Sequence, residues 1–187
     1  MADFAAIERV FALTDPEVWL LTSRSPAGRG GLIATFVHNA SIVKESPRLI
    51  VGIAKQHHTW QVVEASQAFV LHLLSEEQID LAWRFGLNSG RDVDKWAGVP
   101  WDEAGAAGPR LPAALAWLDC RVEATLDTGD RTIYLAAVNE GRVERAGNPL
   151  RMKRLLELAS PERLREMKAG LLRDAVVDAA AIEKWRM

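Results

Sequence analysis

Apolar and polar residues trade places along this chain with two periods. Phe4, Ile7, Val10 and Phe11 recur at three- and four-residue intervals, which predicts a short amphipathic helix over residues 3–12. Pro16 breaks it, and "DPEVWLLTS" moves into a run rich in β-formers. "SPAGRGG" (Ser25 to Gly31) reads as a turn, and "LIATFVHNAS" as a strand followed by polar residues. "PRLIVGIAK" is apolar enough for a strand covered on both faces. "HTWQVVEAS" predicts a short helix with Thr59 as N-cap, and "AFVLHLL" a further strand. "SEEQIDLAWRFG" opens with a capping box from Ser75 to Gln78 and continues as a helix. Residues 86–112 carry many Gly, Asp and Pro residues and predict loop. Ala116, Leu118, Cys120, Val122, Ala124 and Leu126 then alternate with mostly polar neighbours, the clearest strand signal in the chain. "DTGDRT" turns it back into "TIYLAAVNEGRVE", giving a long hairpin. From Pro149 the pattern becomes helical. Ser160 is an N-cap with Pro161 behind it, an apolar stripe runs through Leu164, Met167 and Leu171, and a further helix follows over "DAVVDAAAIEKW". This order is not βαβαβ. It predicts a mainly β, α+β architecture: an antiparallel barrel with inserted helices and a helical C-terminal segment.

Bulk properties narrow the function classes. The 187 residues suit one domain, or one domain with a small appendage. A net charge of −2 provides no global basic field for nucleic acid or anionic lipid. One cysteine, Cys120, excludes an internal disulfide and fits a reducing cytoplasm, the expected location. It lies on the apolar face of its strand, as a buried structural thiol would. The N-terminus lacks the basic start and apolar run of a signal peptide, and no apolar run approaches the ~20 residues needed to span a bilayer. Seven tryptophans leave open wide flat pockets or, more plainly, large core fillers.

No dinucleotide fingerprint, phosphate-binding loop or nucleophile elbow occurs. His57 and His58 are adjacent, so at a strand end they point to opposite sides and one metal would not use both; no metal site is expected. His72 reads as a packed histidine. What stands out is polar chemistry at two strand ends. "ATFVHNAS" offers Thr35, His38, Asn39 and Ser41, and "AKQHHTW" offers Lys55, His57, His58 and Thr59. Hydroxyls, a lysine and a helix N-terminus are what a phosphate needs. Ordinary turn capping accounts for the same residues.

Taken in order, these stretches resemble the flavin reductase family of flavin-binding split-barrel proteins. "GGLIATFVHNAS" is similar to its Gly-x-x-Thr-Ala-Asn-x-Phe-x-Ser-x-Ser strand, and "SPRLIVGIAKQHHTW" to its Pro-Pro-Leu-x-x-x-Gly strand and polar turn. "FVLHLLSEEQIDLAWRFG" resembles its Phe-x-Val-Asn-x-Leu-Ser-x-x-Gln and Ala-x-Arg-Phe segment, and "ALAWLDCRVEATLDTGDRTIYLAAV" its cysteine strand, Gly-Asp-His turn and closing strand. The resemblance covers about residues 17 to 145. It implies a Greek-key split β-barrel domain over 1–147, with 148–187 a helical extension packed on the barrel or on a dimer partner.

The resemblance further implies a homodimer holding FMN or FAD near the subunit interface, with NADH or NADPH as electron donor and an oxygenase as a possible partner. Carried over by position, Ala34, Thr35, Asn39 and Ser41 flank the ring and ribityl chain, Lys55, His58 and Thr59 sit at the phosphate, and Arg84 is a further cofactor contact. Arg131 stands where the family has histidine on the nicotinamide side; it keeps its proton and is longer. The implied activity is hydride transfer from NAD(P)H to flavin. The alternatives are a flavin-retaining oxidoreductase acting on another small molecule and a non-enzymatic protein holding flavin or haem.

Overall fold

In the computed structural model, which describes residues 2–103 and 107–187, the alternating segments join one curled antiparallel sheet. Among the described residues it has seven strands: β1 Trp19–Ser25, β2 Gly28–Ala34, β3 Val37–Asn39, β4 Arg48–Ala54, β5 Ala68–Leu73, β6 Ala116–Asp127 and β7 Arg131–Val143. Their order is β2-β1-β5-β6-β7-β4-β3. The long β6–β7 hairpin lies between β5 and β4, so β1 pairs with β5 and β4 with β7, the non-sequential pairing of a Greek-key split barrel. The helices are α1 Phe4–Phe11, α2 His58–Ser66, α3 Ile79–Leu87, α4 Met152–Glu157 and α5 Pro161–Arg186.

Strand β1 is buried on both faces, and that divides the core in two. Leu21 points into the barrel with Leu32, Val51, Ile53, Phe69, Leu71, Tyr134 and Ala136. Leu20 points outward, under Trp83 and Phe85 of α3, Trp96 of the following loop, and Leu150 and Leu155 near the C-terminal side. Each such leucine, fully buried, stabilises the fold by about 1.5–3 kcal/mol. Helix α2 packs on β1 and β2 through Val62 and Val63.

The "GRGG" run is not the turn its composition suggests. The turn is confined to Pro26 and Ala27, and Gly30 and Gly31 lie inside β2. Their lack of side chains brings two helices close to opposite faces of the strand. A Cβ on Gly30 would meet the Thr59 backbone at 3.0 Å, and one on Gly31 would meet the Phe85 ring at 2.6 Å.

Other expectations shift. "LIATFVHNAS" is not one strand: β2 ends at Ala34, and β3 crosses to pair with β4. Thr59 is not the N-cap of α2; His57 is, in extended conformation and without a side-chain capping bond, and the Thr59 side chain is buried. Register shifts at Asp119/Cys120 and Val122/Ala124 break the long alternation of β6, leaving Ala124 and Leu126 exposed. The C-terminal region holds the short α4, then one continuous 26-residue helix instead of two. The capping box at Ser75 and Gln78 is present, opening a 3-10 turn that leads into α3. Helix α3 runs on through Leu87, two residues into the expected loop; residues 88–103 and 107–112 form the loop, with 104–106 outside the described residues.

Candidate functional site

The glycine-permitted approach of α2 and α3 to β2 leaves a cleft between them. Its volume is about 1190 Å³. One wall is apolar, from Leu32 and Ile33 of β2, Trp83 and Phe85 of α3, and Met167 of α5. The other is polar: the turn Gln56–Thr59 entering α2, and the loop from Asn88 to Lys95. The N-terminus of α2 faces this wall with the positive end of its dipole; Trp60 N is already tied to His57 O at 3.1 Å, which leaves the amides of His58 and Thr59 ahead of it to suit an anion.

Three of the cationic side chains that line the cleft are fixed by backbone carbonyls. Arg91 Nη1 donates to Gln56 O at 2.9 Å, which ties the loop to the turn before α2. Arg84 Nη1 donates to Ala97 O at 2.8 Å. Lys95 is buried, with Nζ donating to Gly31 O at 2.8 Å and to Phe85 O at 3.1 Å. Burial lowers the Lys95 pKa to about 8. His57 keeps an exposed edge, yet desolvation lowers its pKa, outweighing the opposing pull of Asp174 on α5.

Helix α5 completes the cleft. Arg163 lies over the Trp83 ring at 5.5 Å and reaches Asp80 at 3.5 Å, and Met167 packs on the outer core. Further along, Asp178 accepts from Arg131 Nη2 at 3.2 Å. At its end, α5 presses on Gly129, which has a φ of +90° and where a Cβ would lie 2.7 Å from Trp185 Cβ, leaving no room for a side chain.

Of the residues singled out from sequence, the structure brings His57, His58, Thr59 and Arg84 together around the cleft. The others lie outside its lining. Ala34 is buried in the barrel core. Thr35 sits at the break between β2 and β3, and Asn39 is exposed on β3. Ser41 accepts a hydrogen bond from the Val43 amide at 3.0 Å. Lys55 is turned to the β6–β7 hairpin, with Nζ 2.6 Å from Asp127. Arg131 is held between Asp130 at 2.6 Å and Asp178, with its guanidinium 4.9 Å from the Phe36 ring. Sequence reading missed Lys95 and Arg91, which sit in a stretch without periodicity; their only signal is two cations in a glycine- and aspartate-rich loop. Among the described residues, no group of three or more His, Cys, Asp or Glu is placed to hold a metal. No helix there is long and apolar enough to cross a membrane.

A sequence model described as "Flavin reductase like domain" matches residues 14–155, which take in all seven described strands, α2, α3 and the start of α4. The chain belongs to this family. One relative, the flavin-dependent monooxygenase reductase subunit HsaB of Mycobacterium tuberculosis, is 33% identical over 53% of this chain and 51% of its own length. Another, the FMN reductase (NADH) RutF of Klebsiella pneumoniae, is 28% identical over 74% of this chain and 82% of its own. This chain thus spans about half the length of the HsaB relative. Among solved structures, a nitrilotriacetate monooxygenase component B homolog from Mycobacterium thermoresistibile superposes with a TM-score of 0.70 at 26% identity, covering 85% of this chain and 90% of that one.

Proposed function

We propose that this chain is a flavin reductase that binds FMN or FAD in the cleft and passes hydride to it from NADH or NADPH. The observation that carries the reading is the cleft itself. One apolar wall matches a flat ring system, and the opposite wall ends in a helix N-terminus with Thr59, His58, Arg84 and Arg91 around it. These residues fit a flavin: Thr59 and the first amides of α2 would hold its phosphate, with Arg84 and Arg91 balancing the charge. Leu32 and Ile33 would exclude water from one face of the ring, and Met167 would close the mouth. A bound flavin supplies the hydride acceptor, so the protein needs no acid or nucleophile of its own and contributes position and polarity.

RutF is named for NADH-dependent FMN reduction, which supports the donor and the acceptor. HsaB and the nitrilotriacetate component B are named as parts of monooxygenases, which supports a reductase feeding a partner oxygenase. We further propose a homodimer. Phe36, Ile42 and Val43 beside β3, and Leu172 and Val176 on α5, are exposed in the single chain, and a second copy would cover them. Pairing across β3 would also bring Thr35, Asn39 and Ser41 toward a flavin.

One observation favours a second reading, a flavin-holding protein with little nicotinamide turnover. Arg131 is already engaged by two carboxylates, so it is not free to meet a nicotinamide. The visible spectrum and the oxidation of NADH and NADPH with FMN, FAD or neither separate the readings. Flavin-dependent oxidation supports the reductase. Binding without turnover supports the second reading. A colourless protein that takes up no flavin at micromolar concentration contradicts both.

A further inference from the structure

Whether the flavin of this site is FMN or FAD depends on what lies beyond the phosphate. The cleft does not end at the N-terminus of α2. A smaller chamber of about 480 Å³ opens on its other side, within the range of small-molecule sites. The two spaces share His58, Thr59, Gly90, Arg91, Asp92 and Lys95 in their linings. Gly90 makes the junction tight: a Cβ there would lie 3.3 Å from His58 Cδ2 and 3.7 Å from Lys95 Cε.

We propose that this smaller chamber holds the adenosine monophosphate half of FAD, so that the chain selects FAD over FMN. The inference rests on the flavin reading above. FMN ends at the phosphate that Thr59 and His58 would hold and leaves the chamber behind them unused. FAD continues through a second phosphate to adenosine, which would extend past the shared residues into the chamber. Arg91 at the junction and Arg29 on the far wall supply cations for that phosphate. The Arg29 guanidinium lies 4.8 Å from the Trp101 ring centroid and 5.4 Å from that of Trp96. Among the described residues it has no carboxylate in ion-pair reach, so aromatic faces hold it in place and its N–H donors suit a phosphate. Asp94 is committed to the Trp96 amide at 2.9 Å, whereas Asp92 lines the chamber and would accept from ribose hydroxyls.

Isothermal titration of the flavin-free full chain with FAD and with FMN tests this. FAD binds at least about tenfold more tightly than FMN, a difference of about 1.4 kcal/mol. Arg29→Ala, which removes the far cation, and Ala27→Trp, which fills the chamber from its rim, each bring FAD affinity down to that of FMN. Thermal melts establish that both variants fold. Equal wild-type affinities, or an FAD preference that survives both substitutions, overturn the proposal. A raised KM for NADH with the FAD-to-FMN ratio unchanged assigns the chamber to the nicotinamide donor and also overturns it. Binding of neither flavin removes the flavin reading itself, an outcome distinct from FMN binding without FAD preference.

Discussion

His72 is held from both sides of its ring. Its Nδ1 lies 3.0 Å from Leu20 O, and the Leu111 amide donates to Nε2 at 3.1 Å. These partners fix the neutral tautomer with the proton on Nδ1. Burial lowers its pKa from 6.5 to about 4. The unfolded chain therefore takes up a proton near pH 6.5 that the folded chain refuses until about pH 4. The resulting stability is complete above the unfolded value and is lost as pH falls through this window, by about 3 kcal/mol. Urea unfolding at pH 7 and pH 4.5 should show the drop, and His72→Gln should flatten it; equal slopes in the two proteins would remove His72 as its source. Lys95 makes a different prediction. Lys95→Ala leaves two carbonyls without their donor and should cost about 1–3 kcal/mol by denaturant unfolding. At this scale the sequence was legible where a side chain sits next to regular structure, as Thr59 and His58 do. It was not legible for Lys95, whose burial depends on a loop folding over β2. Nor was it for Lys55, which a partner 72 residues away turns from the cleft.

Two elements set the shape of the cleft: the glycine pair in β2 and the long α5. Gly31→Ala would push a methyl group into the Phe85 ring, and overpacking of this kind costs about 1–3 kcal/mol. It should lower the melting temperature and weaken flavin binding together, because α3 moves with Phe85. A melting temperature equal to wild type would mean that α3 yields freely. Helix α5 has no fully buried residue and depends on a few contacts at Trp83, Met167, Arg131 and Gly129. Asp178→Ala should therefore cost little global stability, under about 1 kcal/mol for a partly exposed pair. It should speed proteolytic cutting within α5, and an unchanged cutting rate would show that the Arg131 pair does not hold the helix. The sequence made the helical character of this segment clear but not its continuity. The stripe from Leu164 to Leu171 does not carry on as a single face, and a weakly amphipathic helix offers no periodic signal to join the pieces. The β2–β3 break was hidden for a related reason: the apolar run passes through Thr35 and Phe36 without a Gly or Pro to mark the crossing.

For the whole molecule, the antiparallel barrel followed from strand periodicity and from the absence of βαβ order, and the comparisons place it in its family. What no periodicity could give was which strands neighbour one another, since β1–β5 and β4–β7 are long-range pairs. The exposed apolar groups beside β3 and along α5 lead to the dimer proposal, and light scattering should return a mass near twice the 20.7 kDa chain. A monomer at all concentrations would require Thr35, Asn39 and Ser41 to have no part in flavin binding. The claim on which the rest depends is that the cleft at the α2 N-terminus is a flavin phosphate site. A flavin titration of the wild type, Thr59→Ala and Lys55→Ala tests it most directly. The account predicts micromolar or tighter wild-type binding, about tenfold weaker binding for Thr59→Ala, and no change for Lys55→Ala, whose side chain lies outside the cleft. No flavin binding, or Thr59→Ala binding as tightly as wild type, would contradict it.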